Sequence, residues 1–327
     1  MKNIYREIIG FISKRGVVVG FAILMLVLSI LTPNFFTASN LMTVTLQISV
    51  YALLACGIAY VLIVAGAELS AGSIVGLTGM CFVVGLKLGL PVVPSIIFGL
   101  LSGLACGLVN GFLVTKMHLI PFIATLGTQY VYRGFTNLLT TGTSVSVRAL
   151  VTDEWIKRLT FLGGGKVLGF LPVPTIVVFF FALVHHFILS KTILGRRIYA
   201  VGSNEEAARL SGINKDKVTI VAYCMSGLMA GVAGIMLTCR LMSALPTAGM
   251  SYELEGIAAG VIGGVSMMGG QGTIIGALLG ALIIGVMRNG LNLIGVNTYW
   301  QMVFTGAIII FAVFLDIIGR YRSENTN

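Results

Sequence analysis

The sequence predicts an all-α protein, a polytopic transmembrane helical bundle of about ten spans, and three observations lead there. Of its 327 residues, 57% are hydrophobic and 10% are charged, and the mean hydropathy is +1.01. A soluble domain is about one-quarter charged, so this chain could not cover a water-facing surface. The apolar residues lie in long runs divided by short basic caps. No run alternates as a barrel strand would, which leaves helices as the spanning solution. Disorder, a disulfide-rich secreted scaffold and a cytosolic enzyme are excluded together.

The runs follow in order. Residues 16–32 come after a basic start, and Thr32-Pro33-Asn34-Phe35-Phe36 offers no small-residue cleavage site, so this reads as an uncleaved first helix. Residues 42–66 are long enough to cross, whereas 70–88 are broken by Gly and Ser, which predicts a short or interrupted helix. Residues 91–115 carry Gly99, Gly103, Gly107 and Gly111 on one helix face, a spacing that lets another backbone approach closely, within one subunit or between subunits. Residues 119–140 follow, then an outer loop at 141–170. In that loop Thr152–Leu159 puts acids early, bases late and Val151, Trp155 and Leu159 on one side, as an interfacial helix does. Next come 171–190, ending near His185 and His186, which read as interface histidines, and a polar loop at 191–217. The last four runs are 216–242, 252–268 (short, again with Gly), 272–294 and 298–318. The 42 glycines, nearly twice the usual ~7% share, repeat the four-residue spacing at Gly227-Gly231 and Gly276-Gly280.

Ten spans put both termini on one side. Lys2, Arg6, Lys14, Arg15, Lys116, Lys191, Arg196, Arg197, Arg209, Lys215, Lys217, Arg320 and Arg322 hold most of the 21 Lys and Arg on that side, which is therefore read as cytoplasmic. The same dispersal argues against nucleic acid as the reason for the +10 net charge. The whole chain, 1–327, reads as one membrane domain, and its five scattered cysteines as small core residues. A short echo, Gly72-Ser73-Ile74-Val75-Gly76 against Gly272-Thr273-Ile274-Ile275-Gly276, suggests repeated halves with interrupted helices, an arrangement typical of transporters.

Within 191–217, Ser203 and Glu206 have capping-box spacing, Gly212 suits the position after a helix end, and Ala207, Ala208 and Leu210 lie between. Two turns of helix are not stable alone, so this piece is expected to dock, either on its own chain as a connector or in a partner as a lever. Glu206-Ala207-Ala208 followed by Gly212 resembles the coupling loop of bacterial ABC-importer permeases. Gly66-Ala-Glu-Leu-Ser-Ala-Gly-Ser73, Ile120-Pro-Phe-Ile-Ala-Thr-Leu-Gly-Thr128, Glu253 to Gly264 and Gly269 to Gly276 are similar to blocks of the ribose and simple-sugar branch, in family order over nearly the whole chain. Glu68 stands where that branch usually has Asp, and Gly256 departs from it as well.

The resemblance implies a permease subunit of the bacterial cell (inner) membrane, paired with a second copy or a similar permease. It implies two separate ATP-binding cassette ATPase subunits beneath, and a solute-binding protein that delivers a sugar or sugar-like solute. Neither nucleic acid nor a cofactor of its own is expected, and ATP would be used by the partners. Gly163-Gly-Gly-Lys-Val167 lacks the hydroxyl residue of a phosphate loop, so no ATP hydrolysis by this chain is expected. Coupling to the ATPase is expected at Ser203, Glu205, Glu206, Ala207, Ala208, Arg209 and Gly212. Charges within spans need partners or water, which singles out Glu68, Arg133, Glu253, Glu255 and Arg288. Glu68, Ser70, Asn110, Phe122, Gln129 and Asn289 are expected along the translocation path, with a structural ion pair or helix–helix hydrogen bond open for each. Arg148, Lys157 and Arg158 are the candidates for docking a binding protein. Two rival readings are an ion- or proton-coupled secondary transporter and an intramembrane enzyme. The second is weakened because Ser266 lacks the following Gly of a nucleophile motif.

Overall fold

Two long helices, α2 (Ala38–Ile63) and α10 (Lys215–Leu241), run through the middle of the protein. Both are apolar round most of their surface, as a helix at the centre of a bundle is, and most of their residues are buried. The computed structural model describes residues 20–297, 299–307, 310 and 313–314. In chain order, α1 (Gly20–Leu31) precedes α2, and α3 (Ala71–Lys87), α4 (Val92–Thr115) and α5 (Pro121–Leu138) follow it. Then come α6 (Asp153–Gly164), α7 (Val173–Lys191), α8 (Ile193–Ser203) and α9 (Glu205–Leu210). After α10 come α11 (Tyr252–Ile262), α12 (Ile274–Leu293) and helical residues at 299–307. Each of the ten apolar runs therefore holds helix. Five helices (α2, α4, α7, α10 and α12) are long and apolar enough to cross a bilayer. The third and eighth runs are short as expected, at 17 and 11 residues. Lys2, Arg6, Lys14, Arg15, Arg320 and Arg322 lie outside the described residues.

The architecture is a repeat with exchanged partners. α2 and α10 pack on each other, α10 packs on α3 and α4, and α2 packs on α11 and α12. Within each half the second helix packs on the third, α3 on α4 and α11 on α12. This order overturns the registration suggested by the short sequence echo. Gly72–Gly76 opens α3, whereas Gly272–Gly276 opens α12, and the counterpart of α3 is α11. A five-residue Gly-rich match marks only that both segments start a closely packed helix. The better sequence marker is Asn110-Gly111 late in α4 and Asn289-Gly290 late in α12, with both asparagines buried.

The glycine ladder of α4 lets its backbone meet that of α10. A Cβ on Gly103 would stand 2.7 Å from the Gly227 carbonyl oxygen of α10, and one on Gly107 would stand 2.9 Å from the Cys224 Cα. Both backbones touch within this one chain. The outer faces of α4 and α7 instead carry exposed Leu101, Leu108, Phe112, Phe179, Leu183 and Phe187, as lipid contact demands.

Opposite ends of α10 carry different structures. At the Leu241 end, β1 (Val145–Ser146) pairs antiparallel with β4 (Ser243–Ala244), and the Val147 amide donates to the Met242 carbonyl at 2.9 Å. Beside it β2 (Lys166–Val167) pairs with β3 (Leu171–Pro172). Helix α6 is laid across this end with Leu159 buried and Gly163 against the backbone of Cys239 and Arg240. Trp155 packs on the small apolar cluster around Phe82 and Val147, so the face shared by Val151, Trp155 and Leu159 is seated on protein. The Lys215 end carries α8 and α9.

Candidate functional site

The break between α2 and α3, residues 64–70, brings Glu68 into the interior, where it is 0% exposed. A carboxylate at membrane depth costs about 2.5–3.5 kcal/mol on insertion scales unless it is partnered. Here it is partnered throughout. Glu68 Oε1 accepts from the Ser70 amide at 2.8 Å and the Ser70 hydroxyl at 2.7 Å, and Oε2 accepts from Asn110 Nδ2 at 3.2 Å. Asn110 Nδ2 also donates to Ser70 Oγ at 2.8 Å, and Asn110 Oδ1 accepts from the Tyr132 hydroxyl at 3.1 Å. Because the Ser70 hydroxyl is committed to Glu68, it makes no capping bond to α3. Glu68, Ser70 and Asn110, three of the six residues expected along the path, therefore come together as a closed lock joining the α2–α3 break to α4 and α5. Tyr132 and Tyr223, whose hydroxyl donates to the Ala67 carbonyl at 3.0 Å, belong to the same region and were missed. Buried tyrosines carry no linear signature, since their bodies read as ordinary apolar residues.

The corresponding break of the second half, residues 242–251, ends on Ser251 with φ 65°. Arg133 of α5 reaches it and donates to the Pro246 and Ala248 carbonyls at 2.7 Å each. Gln129, one turn earlier, donates to Glu253 Oε1 at 3.0 Å. Asn289 exchanges two hydrogen bonds with Asn40, at 3.0 and 2.8 Å, and so clamps α12 to α2. Phe122 lies apart, exposed on the free side of α5. Of the six path candidates, four are thus buried hydrogen-bonding groups, Gln129 is half-buried, and Phe122 faces outward.

At the Leu241 end a cleft of about 520 Å³ lies between α2, α10 and α12. Tyr51, Tyr252, Arg288, Asn292 and Gln47 are among its lining residues. Arg288 is held at 3.3 Å from Glu255 and donates to the Tyr51 hydroxyl at 2.6 Å. The Tyr51 and Tyr252 rings meet edge to face at 5.0 Å. Of this set, the sequence marks Arg288, as a charge within a span.

The segment at the Lys215 end differs from its sequence reading in one respect. Ser203 does not cap a helix but ends α8; Asn204 is the cap, its side-chain oxygen accepting from the Ala207 amide at 2.9 Å. That shifts the third helical position to Ala207, so Glu206 has no capping-box role. Asn204 is the better cap because its extended φ of −158° frees the side chain to turn back on the helix start. Gly212, with φ 77°, closes α9 as expected, and the Ile213 amide donates to the Ala208 carbonyl at 3.0 Å. Ala208 is buried and Lys215 pairs with Glu205 at 2.5 Å, so α9 docks on its own chain by one side. Glu206, Ala207, Arg209 and Leu210 stay exposed, Leu210 at 78%. Gly202, at the end of α8, sits against the Ile63 carbonyl and Gly270, whose amide donates to that same carbonyl at 2.8 Å. One point thus gathers the end of α2, the end of α8 and the α11–α12 loop.

Arg148, Lys157 and Arg158 are exposed at the opposite end. Arg158 pairs with Glu154 and lies 5.1 Å over the Trp155 ring, so it is partly occupied, whereas Lys157 points outward from the same helix. His185 is buried against Tyr60 at 3.0 Å, and among the described residues no cluster of metal-ligating side chains forms.

Comparison with known proteins fits this geometry. Residues 40–313 match the family described as the permease component of branched-chain amino acid transport systems. The ribose import permease of Bacillus subtilis (strain 168) is 41% identical over 94% of each chain. The ribose import permease of Escherichia coli (strain K12) is 42% identical with the same coverage. The D-allose transport system permease of that strain is 38% identical over 94% of this chain and 92% of its own. These relatives are transport components rather than enzymes, and this chain is likewise a multi-pass membrane protein without catalytic work of its own. The chain belongs to the bacterial ABC-importer permease family, in the branch that holds the ribose import permeases.

Proposed function

We propose that this chain forms the membrane path of an ATP-driven importer for a sugar or sugar-like solute. The observation that carries the reading is α9: a short helix docked by one side on its own chain, with Glu206, Ala207, Arg209 and Leu210 facing outward beside a knot of three elements. A connector has no use for a leucine left in water. A lever seated in a partner subunit does. A push on α9 reaches α2 through Gly202 and Ile63, and α12 through Gly270, so both halves of the repeat receive it.

In this reading two such permeases sit side by side over two ATPase subunits, which bind and hydrolyse the ATP. Ten helices cross or partly cross the membrane, both termini are cytoplasmic, and the α6 end faces outward. A solute-binding protein docks there, with Arg148 and Lys157 free to meet acidic side chains. The sugar class rests on the relatives named for ribose and allose import, since the family description itself names a different solute.

Affinity purification of the solubilised chain from its own membrane, scored for a co-purifying ATPase, tests the lever. Ala207→Asp or Gly212→Pro should release the ATPase and abolish uptake while the chain still inserts. Uptake that persists with α9 disrupted, or with the ATPase removed, would overturn the assignment in favour of a secondary transporter.

A further inference from the structure

We propose that the cleft at the Leu241 end is a solute-receiving subsite for a cyclic polyhydroxylated molecule, built by Tyr51, Tyr252, Gln47, Asn292 and the held guanidinium of Arg288. The proposal deepens the import reading and rests on it.

The volume, about 520 Å³, falls within the ~300–1,000 Å³ of ligand-sized clefts. Its chemistry is selective. Half-buried Tyr252 supplies an aromatic face of the sort on which the C–H side of a sugar ring packs, while Tyr51, buried with the Arg288 guanidinium 5.7 Å over its ring, fixes that guanidinium in place. Gln301 Nε2 donates to Asn292 Oδ1 at 2.7 Å, which orients both amides and leaves Asn292 Nδ2 to donate and Gln301 Oε1 to accept. Such donor and acceptor pairs are what vicinal hydroxyls require.

Arg288 is fixed from two sides, by Glu255 at 3.3 Å and Tyr51 at 2.6 Å, and a guanidinium has five N–H donors, so several remain for a ligand. Its charge is matched by Glu255, whose second carboxylate oxygen is buried with no hydrogen-bond partner. The other cation of the lining, Arg240, is exposed and donates to the Leu46 carbonyl at 3.2 Å, so it stays solvated and, like the matched Arg288, does not demand an anion in the cleft. No acid is among the lining residues, so a zwitterionic amino acid would leave its ammonium unpaired there. A neutral sugar meets no such penalty.

Position completes the argument. The cleft lies beside the 242–251 break and α11, at the end of α10 away from the lever. A solute released at the α6 end would meet it first. The lining comes from α2, α10, the 242–251 break, the start of α11, α12 and Gln301, which belong to both halves of the repeat, so a shift between halves would reshape it.

The test uses the full chain, purified in detergent, with Thr247→Cys placed at the exposed mouth of the cleft. Labelling by a water-soluble maleimide is timed with and without tens of millimolar D-ribose, D-allose or D-xylose. At least one sugar should slow it by about threefold, the slowing that roughly two-thirds occupancy gives. Leu168→Cys, exposed in a loop outside the cleft, should be unaffected. Tyr252→Leu, which removes the aromatic face but keeps an apolar side chain of similar bulk, and Asn292→Ala should abolish the protection while leaving labelling itself intact. Normal labelling with no protection by any of the three sugars would overturn the subsite. Protection that survives both variants would overturn its assignment to these residues. Uptake of the same sugars by intact cells carrying the ATPase and binding protein is scored separately. Its loss in the unmodified importer would fail the import reading without altering the protection result.

Discussion

Glu68 shows how a single charged residue can be read correctly in kind and differently in role. Its sequence context, an acid inside an apolar chain between glycines, marks it as a residue that needs partners. The partners were partly legible too, since Ser70 and Asn110 stood among the same candidates. The role was not, because whether a polar group faces a cavity or a neighbour depends on the tertiary packing of α4 and α5 around it. The geometry makes a prediction. Glu68→Ala would leave Ser70 and Asn110 buried without their acceptor, at a cost on the order of 1–3 kcal/mol for each orphaned group. Glu68→Asp keeps a carboxylate, and Glu68→Gln keeps one acceptor oxygen. Thermal unfolding of the purified chain should therefore rank Glu68→Ala lowest of the three. If all three matched the parent, the closed lock would not be what holds the α2–α3 break. Ser203 teaches the complementary lesson: a capping box is a pattern of types, and Asn204, one residue on, satisfied the backbone better.

At the scale of elements, the helical runs were legible because a chain segment in lipid has to stay apolar and satisfy its own backbone as helix. The separate helix α8, the two short sheets and the repeat registration were not. Each depends on pairing between distant residues, such as Val145 with Ala244, which leaves no local periodicity. The glycine ladder was visible, but not which neighbour it served. The structure gives it to α10, and that can be checked by a contrast of two glycines. A Cβ on Gly107 would press on the backbone at Tyr223 and Cys224, whereas one on Gly134 meets nothing within 4 Å. Overpacking of this kind typically costs about 1–3 kcal/mol. Gly107→Ala should therefore lower the detergent-solubilised melting temperature or the yield, and Gly134→Ala should leave both unchanged in the isolated chain. Equal behaviour of the two variants would count against the α4–α10 crossing.

For the whole molecule, the exchanged packing of the two halves turns a pair of interrupted helices into one mechanical unit. α2 carries the contacts of α11 and α12, and α10 carries those of α3 and α4, so a shift in one half is passed to the other. The lever at α9 and the cleft beside Arg288 lie at opposite ends of this unit, and import requires that those ends face opposite sides of the membrane. The excess of Lys and Arg near α8, α9 and the start of α10 predicts that this end is cytoplasmic. A single cysteine reports the side directly, because four of the five native cysteines are buried and the fifth, Cys224, is half-buried. Lys157→Cys, exposed on α6, should react with a membrane-impermeant maleimide in cells whose outer barrier, where there is one, has been removed. Arg209→Cys, exposed on α9, should react only after the cell membrane is opened. The reverse pattern would place the lever outside, where no ATPase could reach it, and the coupling role of α9 would fall with it. Labelling of both residues in intact cells would instead put the two ends on one side, which the opposed ends of a membrane-crossing α10 forbid.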